Sequence, residues 1–260
     1  MLLTKDDIFQ KMSSFLINGE NMKTSFSLFI TIIMISSSVY SQSEKQTAHN
    51  FEKEIKLTLS ANYLLYLPKE YDQSNDEFPL VLFLHGAGER GTDIEKVKVH
   101  GLPRLINERK DFPFIVVSPQ CPDNMFWNTD LLAALLDEIE ANYKVDKNRM
   151  YVTGLSMGGH GTWSLAIAQP NRFAAIAPIC GWSNPTMACT IKNIPTWVFH
   201  GAKDMVVPLS ASEQMVEKLK SCNADVKFTI YPEANHDSWT ETYNNDELYN
   251  WFLQHKLNNE

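Results

Sequence analysis

No stretch of this 260-residue chain is rich in lysine or arginine, and its formal net charge is −8. A surface without a cationic face has nothing to neutralise a phosphate backbone, so nucleic acid is excluded as a partner. Cysteine is scarce: Cys121, Cys180, Cys189 and Cys222 are the whole set. None stands at the short spacing from another Cys or His that a zinc site needs, and no metal is expected. A P-loop is missing as well, since no Lys-Ser/Thr follows a glycine loop. Long apolar runs are also absent. The longest candidate, residues 26–35, is about ten residues against the ~20 that a spanning helix requires, and no cysteine follows it to carry a lipid.

That short apolar run has a different meaning. Residues 22–41 read "MKTSFSLFITIIMISSSVYS", with one lysine, an apolar centre, and Val39 and Ser41 at the positions a signal peptidase reads. The expectation is a signal peptide over 22–41, a linker over 42–50 and one catalytic domain over 51–260, in a secreted or periplasmic protein. Residues 1–21 fit no signal pattern and form an unexplained extension. Outside the cytosol disulfides persist. The four cysteines leave several pairings open, as well as buried free thiols with at most one disulfide.

From residue 51 the chain alternates strand and helix signals. "FEKEIKLTLSANYLLYLPKEY" alternates as a strand pair ending at Pro68. Short apolar runs then follow in "FPLVLFLHG", "FIVVSP", "RMYVTG", "AAIAPI", "PTWVFHG" and "VKFTIYP", interleaved with helical patterns near 131–143, 156–168, 209–221 and 246–255. Continuous apolar runs separated by helices indicate a mostly parallel sheet covered on both faces, the α/β class. Ligands of such sheets sit beyond the carboxyl ends of the strands.

One of those ends carries Gly154-Leu155-Ser156-Met157-Gly158, a G-x-S-x-G between a strand and a helix. Glycines there allow a turn sharp enough to expose the serine hydroxyl above the helix N-terminus. A serine needs a base, and the base needs an orienting carboxylate, in the chain order Ser, Asp/Glu, His. Asp204, in "HGAKDMVVP", and His236, in "IYPEANHDSW", fill those places. His85 and His200 precede glycines at strand ends and are expected to shape turns; His160 is expected to pack or cap. His49, His100 and His255 lie in the linker, a loop and the terminal helix, Glu233 is a weaker acid, and Asp237 adjoins His236 and points elsewhere. Donors for a developing oxyanion are expected from the backbone N–H of Met157 and, in the loop "HGAGERG", of Ala87.

These four stretches, "FPLVLFLHGAGERG", "YVTGLSMGGHGTW", "PTWVFHGAKDMVVP" and "YPEANHDSW", resemble the α/β-hydrolase superfamily over residues 63–251. Within it they look like the secreted esterase group of polyhydroxybutyrate-depolymerase-like, feruloyl and acetylxylan esterases, also described as phospholipase/carboxylesterase. The resemblance implies a serine carboxylesterase without cofactor, acting on short-acyl or hydroxycinnamoyl esters, those on plant or algal polysaccharide among them; the alternatives are a serine peptidase or an idle binding domain. Only about fifteen residues separate "AAIAPI" from "PTWVFHG", too few for the helical cap that many relatives insert, so an open groove is expected. Trp127, Trp182 and Trp239 are expected in loops near that groove, as candidate substrate contacts.

Overall fold

The computed structural model describes residues 48–108 and 110–257. Residues 1–21, the expected signal peptide and the start of the linker therefore lie outside the described residues. The chain divides after Lys56, and the unit from Leu57 onward carries all the regular structure among the described residues. No helix there is long and apolar enough to cross a membrane.

Seven strands form one sheet in the order β1-β3-β2-β4-β5-β6-β7. They are β1 (Tyr63–Tyr66), β2 (Phe78–Leu84), β3 (Ile115–Pro119), β4 (Val145–Leu155), β5 (Ala175–Ile179), β6 (Thr196–Gly201) and β7 (Val226–Tyr231). β1 pairs antiparallel with β3, and every other pairing is parallel. Six helices lie among the described residues: α1 (Gly101–Asn107), α2 (Thr129–Asn142), α3 (Met157–Ala168), α4 (Leu209–Ser221), α5 (Trp239–Asn244) and α6 (Asp246–Gln254). The α/β class read from the sequence is the observed one.

The continuous apolar runs explain the layering. Leu80, Leu82 and Leu84 of β2 enter a core shared with Leu132, Leu136 and Ile139 of α2, Trp163 and Leu165 of α3, and Met215 and Leu219 of α4. The alternate residues Val81 and Phe83 enter a second core with Leu102 of α1, Tyr243 of α5 and Phe252 of α6. Each strand thus feeds both faces through its two-residue period. Asn128 starts α2 by accepting the Leu131 N–H at 2.9 Å, an N-cap bond.

The expected strand pair before Pro68 is only half present. Tyr63–Tyr66 forms β1, but residues 48–62 carry neither strand nor helix, and Leu57 is 71% exposed. Alternation marks a chain with one face to bury, and here no core is offered to that face.

Candidate active site

The nucleophile candidate sits where β4 hands over to α3. Ser156 has φ 53° and ψ −114°, a conformation that side chains rarely adopt. Its amide is tied to Ile179 O at 2.9 Å and its carbonyl accepts from His160 N at 3.0 Å. Gly154 and Gly158 serve close approach: a Cβ on Gly158 would lie 1.9 Å from Leu84 O, and one on Gly154 2.4 Å from Gly158 O. The start of α3 is thereby pressed against the sheet, and the serine is raised at its edge.

The loops after β6 and β7 are brought together in the same way. A Cβ on Gly201 would meet Asn235 O at 2.1 Å, and Lys203 N–H donates to Ala234 O at 2.9 Å. Across this junction the Nδ1 of His236 lies 2.7 Å from Asp204 Oδ2, and its Nε2 lies 2.9 Å from Ser156 Oγ. A carboxylate can only accept, so Nδ1–H donates to Asp204 and Nε2 is left to accept the Ser156 hydroxyl proton. The other Asp204 oxygen, Oδ1, accepts the Val206 and Val207 amides at 2.8 and 2.9 Å. Burial pushes the Asp204 carboxyl upward, but the hydrogen bonds from His236, Val206 and Val207 outweigh it and hold the carboxyl below its usual range.

The other histidines have structural partners. His85 Nε2 accepts the Cys121 amide at 2.9 Å, and its Nδ1 donates to Gly86 O at 2.6 Å. Burial holds its imidazole down at about 4. His200 Nε2–H faces Val207 O at 3.0 Å, with Asp204 Oδ2 at 3.2 Å, and its Nδ1 accepts from Ser212 Oγ at 2.8 Å. It buttresses the loop that carries Asp204. His160 donates from Nδ1 to Trp182 O at 2.8 Å and stacks on the Trp182 ring. His100 caps the start of α1, and His255 lies at the end of α6. Glu233 pairs with Lys203, and Asp237 accepts the Thr240 amide at 3.1 Å, away from the histidine beside it.

Ala87 opens a short 3-10 turn, Ala87–Glu89, and Met157 opens α3. The amides of first helical residues are among those the helix cannot use itself, which leaves them available to an anion. Glu89, which the sequence reading passed over, holds the turn. It is buried, and its Oε2 accepts the Gly86 amide at 2.9 Å while His100 Nε2 stands 3.8 Å from Oε1. A glutamate three residues after the residue preceding a helical turn is half of a capping box, which is the signal that could have found it.

The three tryptophans fare differently. Trp127 is only 7% exposed; its ring packs edge-on against His85 at 4.8 Å, and its Nε1–H donates to His85 O at 3.2 Å. It supports the loop from behind and presents no open face to a substrate. Trp182 lies in the loop after β5, as expected. Trp239 opens α5 instead of lying in a loop, and stands edge-on to His236 with ring centres 5.2 Å apart.

Among the described residues, Cys180, Asp204 and His236 are the group whose ligand atoms lie close enough for a metal, within 4.8 Å of one another. Two of the three are already engaged with each other. Burial pushes the Cys180 thiol up to about 12, so a protonated sulfur faces the pair. Cys121 is also a buried thiol, while Cys189 and Cys222 form a disulfide.

Residues 118–246 match the phospholipase/carboxylesterase family. The chain is 26% identical over 168 residues to a probable feruloyl esterase C of Aspergillus terreus, covering 62% of this chain and 61% of that protein. It is 33% identical over 120 residues to a poly(3-hydroxyalkanoate) depolymerase C of Paucimonas lemoignei, covering 40% of this chain and 28% of that one. A thermostable esterase of known structure superposes with a TM-score of 0.64 at 36% identity, over 75% of this chain and 59% of the other. The chain thus spans about three fifths of the length of the feruloyl and thermostable esterases. The seven-stranded sheet has the α/β-hydrolase fold of these esterases, and residues 118–246 carry the phospholipase/carboxylesterase domain.

Proposed function

We propose that this protein is a secreted serine carboxylesterase that hydrolyses short-acyl or hydroxycinnamoyl esters. The observation that supports it most is the unbroken chain from Ser156 Oγ through His236 to Asp204, at 2.9 and 2.7 Å. In this reading Ser156 Oγ attacks the ester carbonyl while His236 Nε2 takes its proton. Asp204 holds the imidazole in the required tautomer and steadies the imidazolium. The oxyanion is received by the amides of Ala87 and Met157, each contributing about 3 kcal/mol to lowering the barrier. Collapse expels the alkoxide, which leaves with the proton from His236. Water then enters, gives its proton to the same nitrogen and releases the acid. The protein supplies every group in this sequence, and no cofactor takes part.

The absence of a bulky insertion supports substrates held in an open groove. Between β5 and β6 there is only a 3-10 turn, Pro185–Ile191, which favours an ester presented on a larger molecule over a lipid chain buried in a tunnel. Secretion is supported by the signal-like residues 22–41 and by the Cys189–Cys222 disulfide, a bond that persists in oxidising compartments. The test is hydrolysis of p-nitrophenyl acetate and methyl ferulate by the wild type and by Ser156→Ala. The wild type turns over, and the variant loses activity by a factor of thousands. Equal rates in both would end the proposal.

A further inference from the structure

The site has two aromatic flanks, one on each face of the sheet. Trp239 packs on the core under α1, α5 and α6, and it is the ring beside His236. Trp182 packs on the opposite core, under α2, α3 and α4. There its ring lies parallel to His160 at 4.8 Å, and Phe126 stands at 88° to His160 with ring centres 6.3 Å apart. His160 lies one turn into α3, and its backbone N–H donates to Ser156 O at 3.0 Å, which sets this group beside the nucleophile. Phe126 is 58% exposed, and Met125, next to it in the chain, is 53% exposed. Aromatic rings converging from two loops and a helix, one of them largely exposed, mark a binding surface.

Which half of the ester meets this wall follows from the direction of proton transfer. His236 must reach the leaving oxygen, so the alcohol departs on the His236 and Trp239 side. The acyl group then projects toward the other face. We infer that Phe126, His160 and Trp182 form the acyl subsite, and that it selects a planar aryl-substituted acyl group over an aliphatic one. The inference rests on the ester-hydrolase reading above and deepens it by assigning the half of the substrate and the side chains that choose it. His160 contributes more than a ring. With its Nδ1–H committed to Trp182 O, its Nε2 is the nitrogen turned to other partners, an acceptor suited to a hydroxyl on the aryl ring.

The experiment uses esters that share one alcohol and differ in the acid, methyl cinnamate and methyl butanoate, and esters that share one acid and differ in the alcohol, benzyl acetate and ethyl acetate. In Phe126→Ala and Trp182→Ala the cinnamate-to-butanoate ratio of kcat/KM falls about tenfold, the scale of one lost aromatic contact, while the benzyl-to-ethyl ratio stays as in the wild type. Phe126 is the safer variant because its ring is largely exposed and holds no core. An unchanged cinnamate-to-butanoate ratio, an equal fall on all four esters in Phe126→Ala, or a fall confined to the benzyl-to-ethyl ratio would each overturn the assignment. Failure of the wild type on every ester would instead defeat the esterase reading. In that event calorimetric binding of cinnamate to Ser156→Ala, present there and lost when Phe126→Ala is added, still decides whether the wall takes an aryl acid; no binding would sink it.

Discussion

Asp204 is the residue on which the electrostatics of the site turn, because it faces both His236 and His200 as well as two backbone amides. Burial pushes its carboxyl up, but the hydrogen bonds from His236, Val206 and Val207 hold it below the usual carboxylate range, which favours the carboxylate that accepts His236 Nδ1–H. Asp204→Asn keeps the shape but allows the wrong tautomer, and kcat for p-nitrophenyl acetate should drop about 10⁴-fold with the fold intact by circular dichroism. Glu89 acts one step further out, through the Gly86 amide. Glu89→Ala should lower kcat about 10²-fold with little change in KM, because an oxyanion donor drifts out of place; Glu89→Gln, which keeps an acceptor, should recover most of it. A larger effect on KM than on kcat would show that Glu89 serves substrate binding instead. Ser156, Asp204 and His236 were legible from chain order alone, since each follows a recognisable strand end. Glu89 and Phe126 were not, because their significance lies in which distant groups they face.

At the scale of elements, the buried parallel strands and the long helices were readable because their apolar patterns are continuous and each finds a core. The first strand of the pair expected before Pro68 had the pattern without the partner, and it does not form. Trp239 was assigned to a loop, yet it starts α5, a helix too short for periodicity to register. The tightest contact between elements is that of α3 with the sheet, where Gly158 lies against Leu84. A methyl group there has only backbone to meet, so Gly158→Ala should cost about 3 kcal/mol or more, or prevent folding. Gly88→Ala makes the contrast, because a Cβ at that position meets nothing within 4 Å. Its thermal midpoint should match the wild type. Equal midpoints for both variants would mean that α3 can retreat from the sheet at little cost.

For the molecule as a whole, acid stability follows from what burial does to His85. Its imidazole is held at about 4 in the folded protein, against ~6.5 in an unfolded chain. Between those values the unfolded chain binds the extra proton, so stability falls as pH drops from ~6.5, with about 3 kcal/mol lost once pH 4 is passed. The depressed Asp204 carboxyl adds its own loss only below ~3.9, where the unfolded carboxyl begins to protonate. Urea unfolding midpoints from pH 7 to pH 4 should show this decline, and His85→Gln should flatten it by one proton; a wild-type midpoint constant over that range would contradict the buried neutral ring. The net charge of −8 is a whole-chain feature that was readable from composition. The central claim, that Ser156 is the nucleophile of an ester hydrolase, is tested most directly by reaction with a fluorophosphonate followed by peptide mass mapping. The account predicts one phosphonyl adduct, on Ser156, that fails to form in His236→Ala. No adduct on the folded protein, or an adduct on another residue, would contradict it.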